Sequence, residues 1–217
     1  MITRHQFLTM LHDLLRPKVY LEVGVQYGLS LDLAVHSETV IGIDPLPLRH
    51  VQRPGEMIFS QTSDDYFAGR DPDFFPHVDL AFIDGSHLFE DAVNDFVNIS
   101  ALCGPKSVVV FDDVLPYTQE MASREPVPGD WTGDVWKTFY LLSVYVTRCH
   151  LANTFPTGTM VIWGFPLDQD KLKAWVKAMA PRIDPKAPVP DDVIKRNFAR
   201  DPSWVIDRIK EDLWTSQ

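Results

Sequence analysis

A chain of 217 residues, 45% of them hydrophobic, has enough apolar material for one domain with a sizeable core, which excludes a disordered or fibrous protein. Its formal net charge of -10 supplies no basic stripe to neutralise phosphates, so nucleic acid is excluded as the expected partner. Two cysteines exclude a disulfide scaffold, the first fifteen residues are broken by Arg4, His5, His12 and Asp13, and no apolar run is long enough to span a bilayer; these point to a cytoplasmic protein with no membrane partner.

Phe7, Met10, Leu11, Leu14 and Leu15 recur at helical spacing, predicting an amphipathic helix that begins behind Thr3 and stops at Pro17. Val19 to Glu22 then reads as a buried parallel strand. Gly24 and Gly28 after it read as a tight nucleotide-cofactor turn into a short helix over Leu29 to Val35, although the spacing is E-x-G-x-x-x-G and not the dinucleotide G-x-G-x-x-G. Further strands are predicted at 39–43, 56–60, 78–83 and 107–111, with a short helical turn over 63–69 and a helix over 88–102 that Gly104-Pro105 closes. The second, fourth and fifth strands end in Asp44, Asp84 and the pair Asp112-Asp113, and Asp44 is placed to hold a ribose.

Residues 114–133 carry three prolines and two glycines without periodicity, which marks a long loop of the kind that serves as a lid or substrate wall. A helix over 135–146 and an antiparallel hairpin, 150–155 with 159–165, follow. The alternation predicts an α/β domain over residues 1–166 with a doubly wound, mostly parallel seven-stranded sheet, its site along the carboxyl ends of the strands, and a terminal antiparallel hairpin. Residues 167–217 read as a helical extension packed on that domain or placed in a subunit contact; Trp204 and Trp214 suit a homodimer and suit packing on the chain's own sheet equally.

Asp84, Asp112 and Asp113 end two consecutive strands that such a sheet makes neighbours, so three carboxylates converge at one edge. A divalent cation is the simplest relief of that charge, and all-oxygen ligation favours Mg²⁺, then Mn²⁺. Strand-end caps and solvated carboxylates are the alternative.

The whole order, E-x-G-x-x-x-G after the first strand, an acid after the second and a terminal hairpin, resembles the class I S-adenosylmethionine-dependent methyltransferases over residues 19–165. FIDGSHLFEDAVNDF followed by VVVFDDV is similar to the small metal-dependent sugar O-methyltransferases typified by macrocin O-methyltransferase, and the compact acidic site resembles the mycobacterial enzymes that methylate mannosides. The resemblance implies S-adenosylmethionine, a divalent metal and a small saccharide acceptor, a mannoside in the narrowest form. It implies that Glu22, Gly24 and Gly28 line the methionine and ribose side, that Asp44 accepts the ribose hydroxyls, that Asp65 or its neighbours Ser63 and Asp64 lie near the adenine, and that Asp84 borders the cofactor as well as the metal.

His87, three residues after Asp84, takes the place of the general base, with capping of the next helix as its alternative. For Asp44 the alternative is a turn residue, and for Ser63 to Asp65 an N-cap. Where some relatives pair Glu with Asp at the fifth strand end, this chain has Asp112-Asp113, which leaves open which of the two binds a metal directly. Trp131 at the end of the loop, Asp134 and Trp136 beyond it, and Tyr117 within it suit a sugar ring and its hydroxyls, though Trp136 on a helix suits the core equally. The rivals are a catechol-type O-methyltransferase, a nicotinamide-dependent oxidoreductase and a non-catalytic cofactor-binding domain.

Overall fold

A computed structural model of the chain describes residues 1–49, 52–68 and 75–215. Eight strands form one sheet in the order β3-β2-β1-β4-β5-β7-β6-β8. The first five, β1 (Val19–Val23), β2 (Thr39–Ile43), β3 (Glu56–Phe59), β4 (Val78–Ile83) and β5 (Cys103–Phe111), are parallel. β7 (Thr159–Trp163) runs antiparallel to β5 and to β6 (Cys149–Ala152). The strands are near-continuous apolar runs because helices cover both faces of the sheet.

One face packs α3 (Phe89–Ser100), α4 (Lys137–Leu142), α5 (Gln169–Met179) and α6 (Asp191–Ile194) over Leu21, Ala81 and Val109; the other packs α1 (Arg4–Leu15) and α7 (Pro202–Lys210) over Tyr20, Leu80 and Val110. Adjacent strand residues thus serve opposite layers, as the pleat requires. In α3, Phe89, Val93, Phe96 and Val97 fall on one side and are buried, each contributing about 1.5–3 kcal/mol. α1 starts where the sequence predicts: the Thr3 hydroxyl accepts from the Gln6 amide, the Gln6 side chain accepts from the Thr3 amide, and the helix ends at Arg16 in the left-handed region before Pro17.

Three differences from the sequence reading bear on the site. The segment after Gly28 is a single 3-10 turn, Leu31–Leu33, flanked by Ser30 and Ala34, too short to present a helix N-terminus. The 63–69 turn is α2 (Ser63–Ala68), with Gly69 outside the described residues. The tail adds an eighth strand to the predicted seven: β8 (Ala199–Arg200) pairs parallel with β6, while Leu172 and Val193 enter one core layer and Val205 and Ile209 the other. No helix among the described residues is long and apolar enough to cross a membrane.

Candidate active site

The parallel strands end in register, and that brings the acids together. The Asp44 amide donates to Phe59, that of Asp84 to Val23 and that of Asp112 to Ile83, each a carbonyl on the neighbouring strand, so these residues stand side by side along the carboxyl edge. Gly24 holds the centre of the edge. Its φ is +90° and a Cβ there would lie 1.8 Å from the Asp84 carbonyl oxygen, so the β1 and β4 turns approach as closely as only glycine permits. Gly28 also has positive φ, +75°, and its missing Cβ makes room for the Arg49 side chain, which pairs with Asp32 and Glu56 away from the edge.

A small cavity and a larger cleft meet at this edge, sharing Gly24, Asp44 and Gly85. The cavity, about 320 Å³, is lined by Thr62, Ser63, Asp64, Ser86, Asp91 and Asp95. The cleft, about 650 Å³, runs past Asp84, His87 and Asp113 to Trp131 on one side and Tyr27, Leu29 and Leu46 on the other.

Asp44 belongs to both spaces and also braces the turn between them: one oxygen accepts from the amides of Val25 and Gln26 at 2.9 and 2.8 Å, the other from Leu46 at 2.7 Å. The turn amides that a pyrophosphate would take in a dinucleotide fold are therefore occupied by the protein's own carboxylate. Ser63 lines the cavity and its hydroxyl bonds Asp95, whereas the Asp65 carboxylate turns back to accept from the Thr62 hydroxyl, which caps α2 by accepting from the Asp65 amide; its neighbour Asp64 faces the cavity instead. Glu22 is not on either surface. It is fully buried, accepting from the Tyr20 and Ser30 hydroxyls at 2.6 and 2.7 Å, and burial pushes its carboxyl up to about 8. The inward side of β1 carries it beneath the glycine turn, where it anchors Ser30, a residue of the cleft wall.

His87 and Asp113 both have positive φ, +60° and +62°, a left-handed backbone uncommon outside glycine and concentrated at functional sites. The His87 Nε2 lies 3.5 Å from Asp84 Oδ1 and 3.1 Å from Asp113 Oδ2, its Nδ1 is 2.9 Å from the Trp131 carbonyl, and its ring stacks on the Trp131 indole. Burial alone would lower the His87 pKa, but its bond to Asp84 and the charges of Asp113 and Asp84 raise it to about 9. Burial and the Asp84 charge raise Asp113 to about 6. One ligand atom each from Asp84, His87 and Asp113 lie within 4.8 Å of one another, a set able to hold a metal ion.

Asp112 differs from the sequence expectation in part. Its Oδ2 is engaged by Arg4 of α1, 108 residues away, while its Oδ1 is buried without a hydrogen-bond partner. Burial, Asp113 and Asp84 raise its pKa well above the ordinary carboxylate range. Behind these groups a void of about 10 Å³, room for about one water-sized body, is bounded by Asp84, His87, Asp95, Asp112 and Asp113. The orphaned oxygen and this void fit a small hard cation held by Asp84, Asp113 and Asp112, with the imidazole adjacent.

Of the residues read as a substrate wall, Trp131 alone lines the cleft. Trp136 is core, and Asp134 is buried: its Oδ1 accepts from the Phe89 amide at the start of α3 and its Oδ2 from Arg124 and Lys137. Tyr117 is covered by the Arg196 guanidinium, 4.2 Å from its ring centre, and is not on the cleft. A carboxylate next to aromatic residues can equally build a loop's foundation; only its burial separates the two roles. The sequence reading missed Arg4, whose N-terminal position gives no sign of the distant carboxylate it meets, and Asp95, whose place inside the apolar face of α3 was its signal.

Residues 21–114 match the family model described as a methyltransferase domain. A search of curated proteins finds no match to the sequence. Among solved structures, a Klebsiella pneumoniae protein classed provisionally as an O-methyltransferase is similar at 16% identity, covering 75% of this chain and 80% of its own, with a TM-score of 0.56. An O-methyltransferase from Bacillus cereus, solved in complex with SAH, is similar at 12% identity, 74% and 80% coverage and a TM-score of 0.53. TomG, the O-methyltransferase of tomaymycin synthesis from Streptomyces achromogenes in complex with SAM, has values of 17%, 75%, 80% and 0.51. At these identities the likeness speaks for the fold alone, and the family model matches residues 21–114, less than half of the chain.

Proposed function

We propose that this protein transfers a methyl group from S-adenosylmethionine to a hydroxyl of a small saccharide, with a divalent cation, Mg²⁺ or Mn²⁺, at the carboxylate cluster. The observation that carries the reading is the junction at Gly24, Asp44 and Gly85, where an acid-lined cavity opens into a cleft floored by Asp84, His87 and Asp113. A phosphate-bearing cofactor is ill suited to a cavity walled by Asp44, Asp64, Asp91 and Asp95, and it finds the turn amides taken; a neutral nucleoside ending in a cationic sulfonium suits both.

In this reading Asp44 keeps a lone pair for a ribose hydroxyl, since a carboxylate offers about four and the amides of Val25, Gln26 and Leu46 use the others. Ser63, Asp64 and Asp95 face the nucleoside's base. The cation, when bound, supplies charge that favours the alkoxide form of a hydroxyl beside it. The protein's own part is positional: Trp131 offers an aromatic face to a sugar ring, and the cleft holds the acceptor oxygen near His87. The Nδ1 proton is committed to the Trp131 carbonyl; a bound cation would offset the Asp84 and Asp113 charges that otherwise keep the ring protonated up to about 9, and the neutral imidazole would then present its Nε2 lone pair to the floor of the cleft and take the hydroxyl proton there.

Incubation with methyl-labelled S-adenosylmethionine and parallel panels of small saccharides and catechols, with Mg²⁺ or with a chelator, tests the reading. Label in a saccharide that disappears with the chelator supports it. Label in catechols and in no saccharide replaces the acceptor class, and label that persists under chelation removes the metal.

A further inference from the structure

α1 begins against its own electrostatics. A helix N-terminus carries partial positive charge and favours acids in the first turn, yet this one opens with Arg4 and His5 and has no acid there. A local rule broken in this way is expected where another demand outweighs it. Here that demand lies in the carboxylate cluster. The backbone of Arg4 is fixed by its amide bond to the Phe155 carbonyl at 3.0 Å, beside the Thr3 to Phe155 bridge, so the side chain starts from an anchored point on the hairpin turn. Its Nη1 donates to Asp112 Oδ2 and lies 3.7 Å from Asp84 Oδ2. The guanidinium is the one permanent cation among the described residues in contact with the Asp84, Asp112 and Asp113 cluster.

We propose that Arg4 is the built-in counter-cation of this cluster, holding Asp112 by one oxygen and thereby weakening the hold of the remaining oxygens on a divalent cation. The proposal rests on the metal-binding part of the function proposed above. With Arg4 in place, Asp112 presents to a cation only the oxygen that now has no partner, and a positive charge stands close to the incoming one. Without its charge that repulsion is gone, and in Arg4→Met both Asp112 oxygens are free as well. Arg4 is a positioning residue in this scheme, since it acts through Asp112. A purely structural Arg4 predicts the reverse, because its loss would loosen the cluster and weaken the binding of a cation.

The test is calorimetric titration of Mn²⁺ and Mg²⁺ into the whole chain and into Arg4→Met, Arg4→Gln and Arg4→Lys, with Mn²⁺ followed in parallel by its EPR signal. Arg4→Met and Arg4→Gln are expected to bind Mn²⁺ at least about tenfold more tightly than the parent, and Arg4→Lys, which keeps the charge, to stay within about threefold of it. Adding Asp112→Asn to Arg4→Gln should cancel the gain. Thermal unfolding in a chelator reports whether each variant folds, and the Gln variant, which keeps a hydrogen-bond donor to Asp112, serves should the Met variant fail. Unchanged or weaker Mn²⁺ binding by folded Arg4→Gln overturns the inference and leaves the metal site standing. A parent protein that binds neither ion overturns both.

Discussion

Glu22 occupies a position that the family resemblance assigns to the ligand, and burial moves it to another task. Its two hydroxyl partners tie β1 to Ser30, so it shapes the turn from below. Its folded pKa of about 8 lies above the ordinary value of 4.5, so the native state favours the neutral form; this contribution to stability is full below pH 4.5 and is lost as pH rises through about 8. Glu22→Gln is neutral at every pH. Between pH 5 and 8 the parent should therefore lose stability relative to this variant by about 1 kcal/mol per pH unit, measured as the difference between urea unfolding curves. Parallel pH profiles for the two proteins would show that Glu22 is ionised in the fold.

At the scale of elements, the long loop is held by charge rather than by an apolar seam. The Lys137 ammonium is buried and donates to Asp134 at 2.8 Å and to the Pro185 carbonyl at 2.8 Å, linking the first turn of α4 to the tail, while Asp134 caps the start of α3 and Arg124 reaches from the loop to Asp134 and Glu90. The link to the site is short: the Asp134 amide donates to the His87 carbonyl, and a Cβ at Gly133 would lie 1.8 Å from that same oxygen. Asp134→Ala leaves a buried ammonium without its carboxylate and should cost about 3–5 kcal/mol, a fall in Tm of about 10 °C for a chain of this size. Replacing Asp134 and Lys137 together by Leu and Met should restore much of it. A double variant no better than Asp134→Ala would show that the pair is not the source of the loss.

Across the whole molecule, the five parallel strands were legible because burial on both faces leaves runs such as Val78–Ile83 almost wholly apolar, and because an acid at a strand end marks the carboxyl edge. β8 is two residues long and has no period to detect; only the finished edge of β6 creates it. Asp84, Asp113 and His87 could be placed from spacing, since neighbouring parallel strands put their ends together. The Arg4 contact with Asp112 and the burial of Asp134 and Trp136 depend on how layers close over 100 residues of sequence, which no local pattern carries. The same closure binds the tail to the fold: Leu172, Val189 and Val193 lie in one core layer, Val205 and Ile209 in the other, and Arg196 donates to the carbonyls of Leu115, Thr154 and Pro156. Residues 1–166 expressed alone should therefore lack a cooperative thermal transition. A truncated chain melting as sharply as the full one would make the tail a separable extension.

The most direct test of the account is calorimetric titration of S-adenosylmethionine into the full chain, with NADH as the comparison and with Asp44→Ala as the control at the cavity junction. Saturable one-to-one binding of S-adenosylmethionine, loss of at least about tenfold in affinity in Asp44→Ala, and no binding of NADH are expected. Binding of NADH without S-adenosylmethionine would contradict it and require the acid-lined cavity and the carboxylate cluster to be assigned to other chemistry.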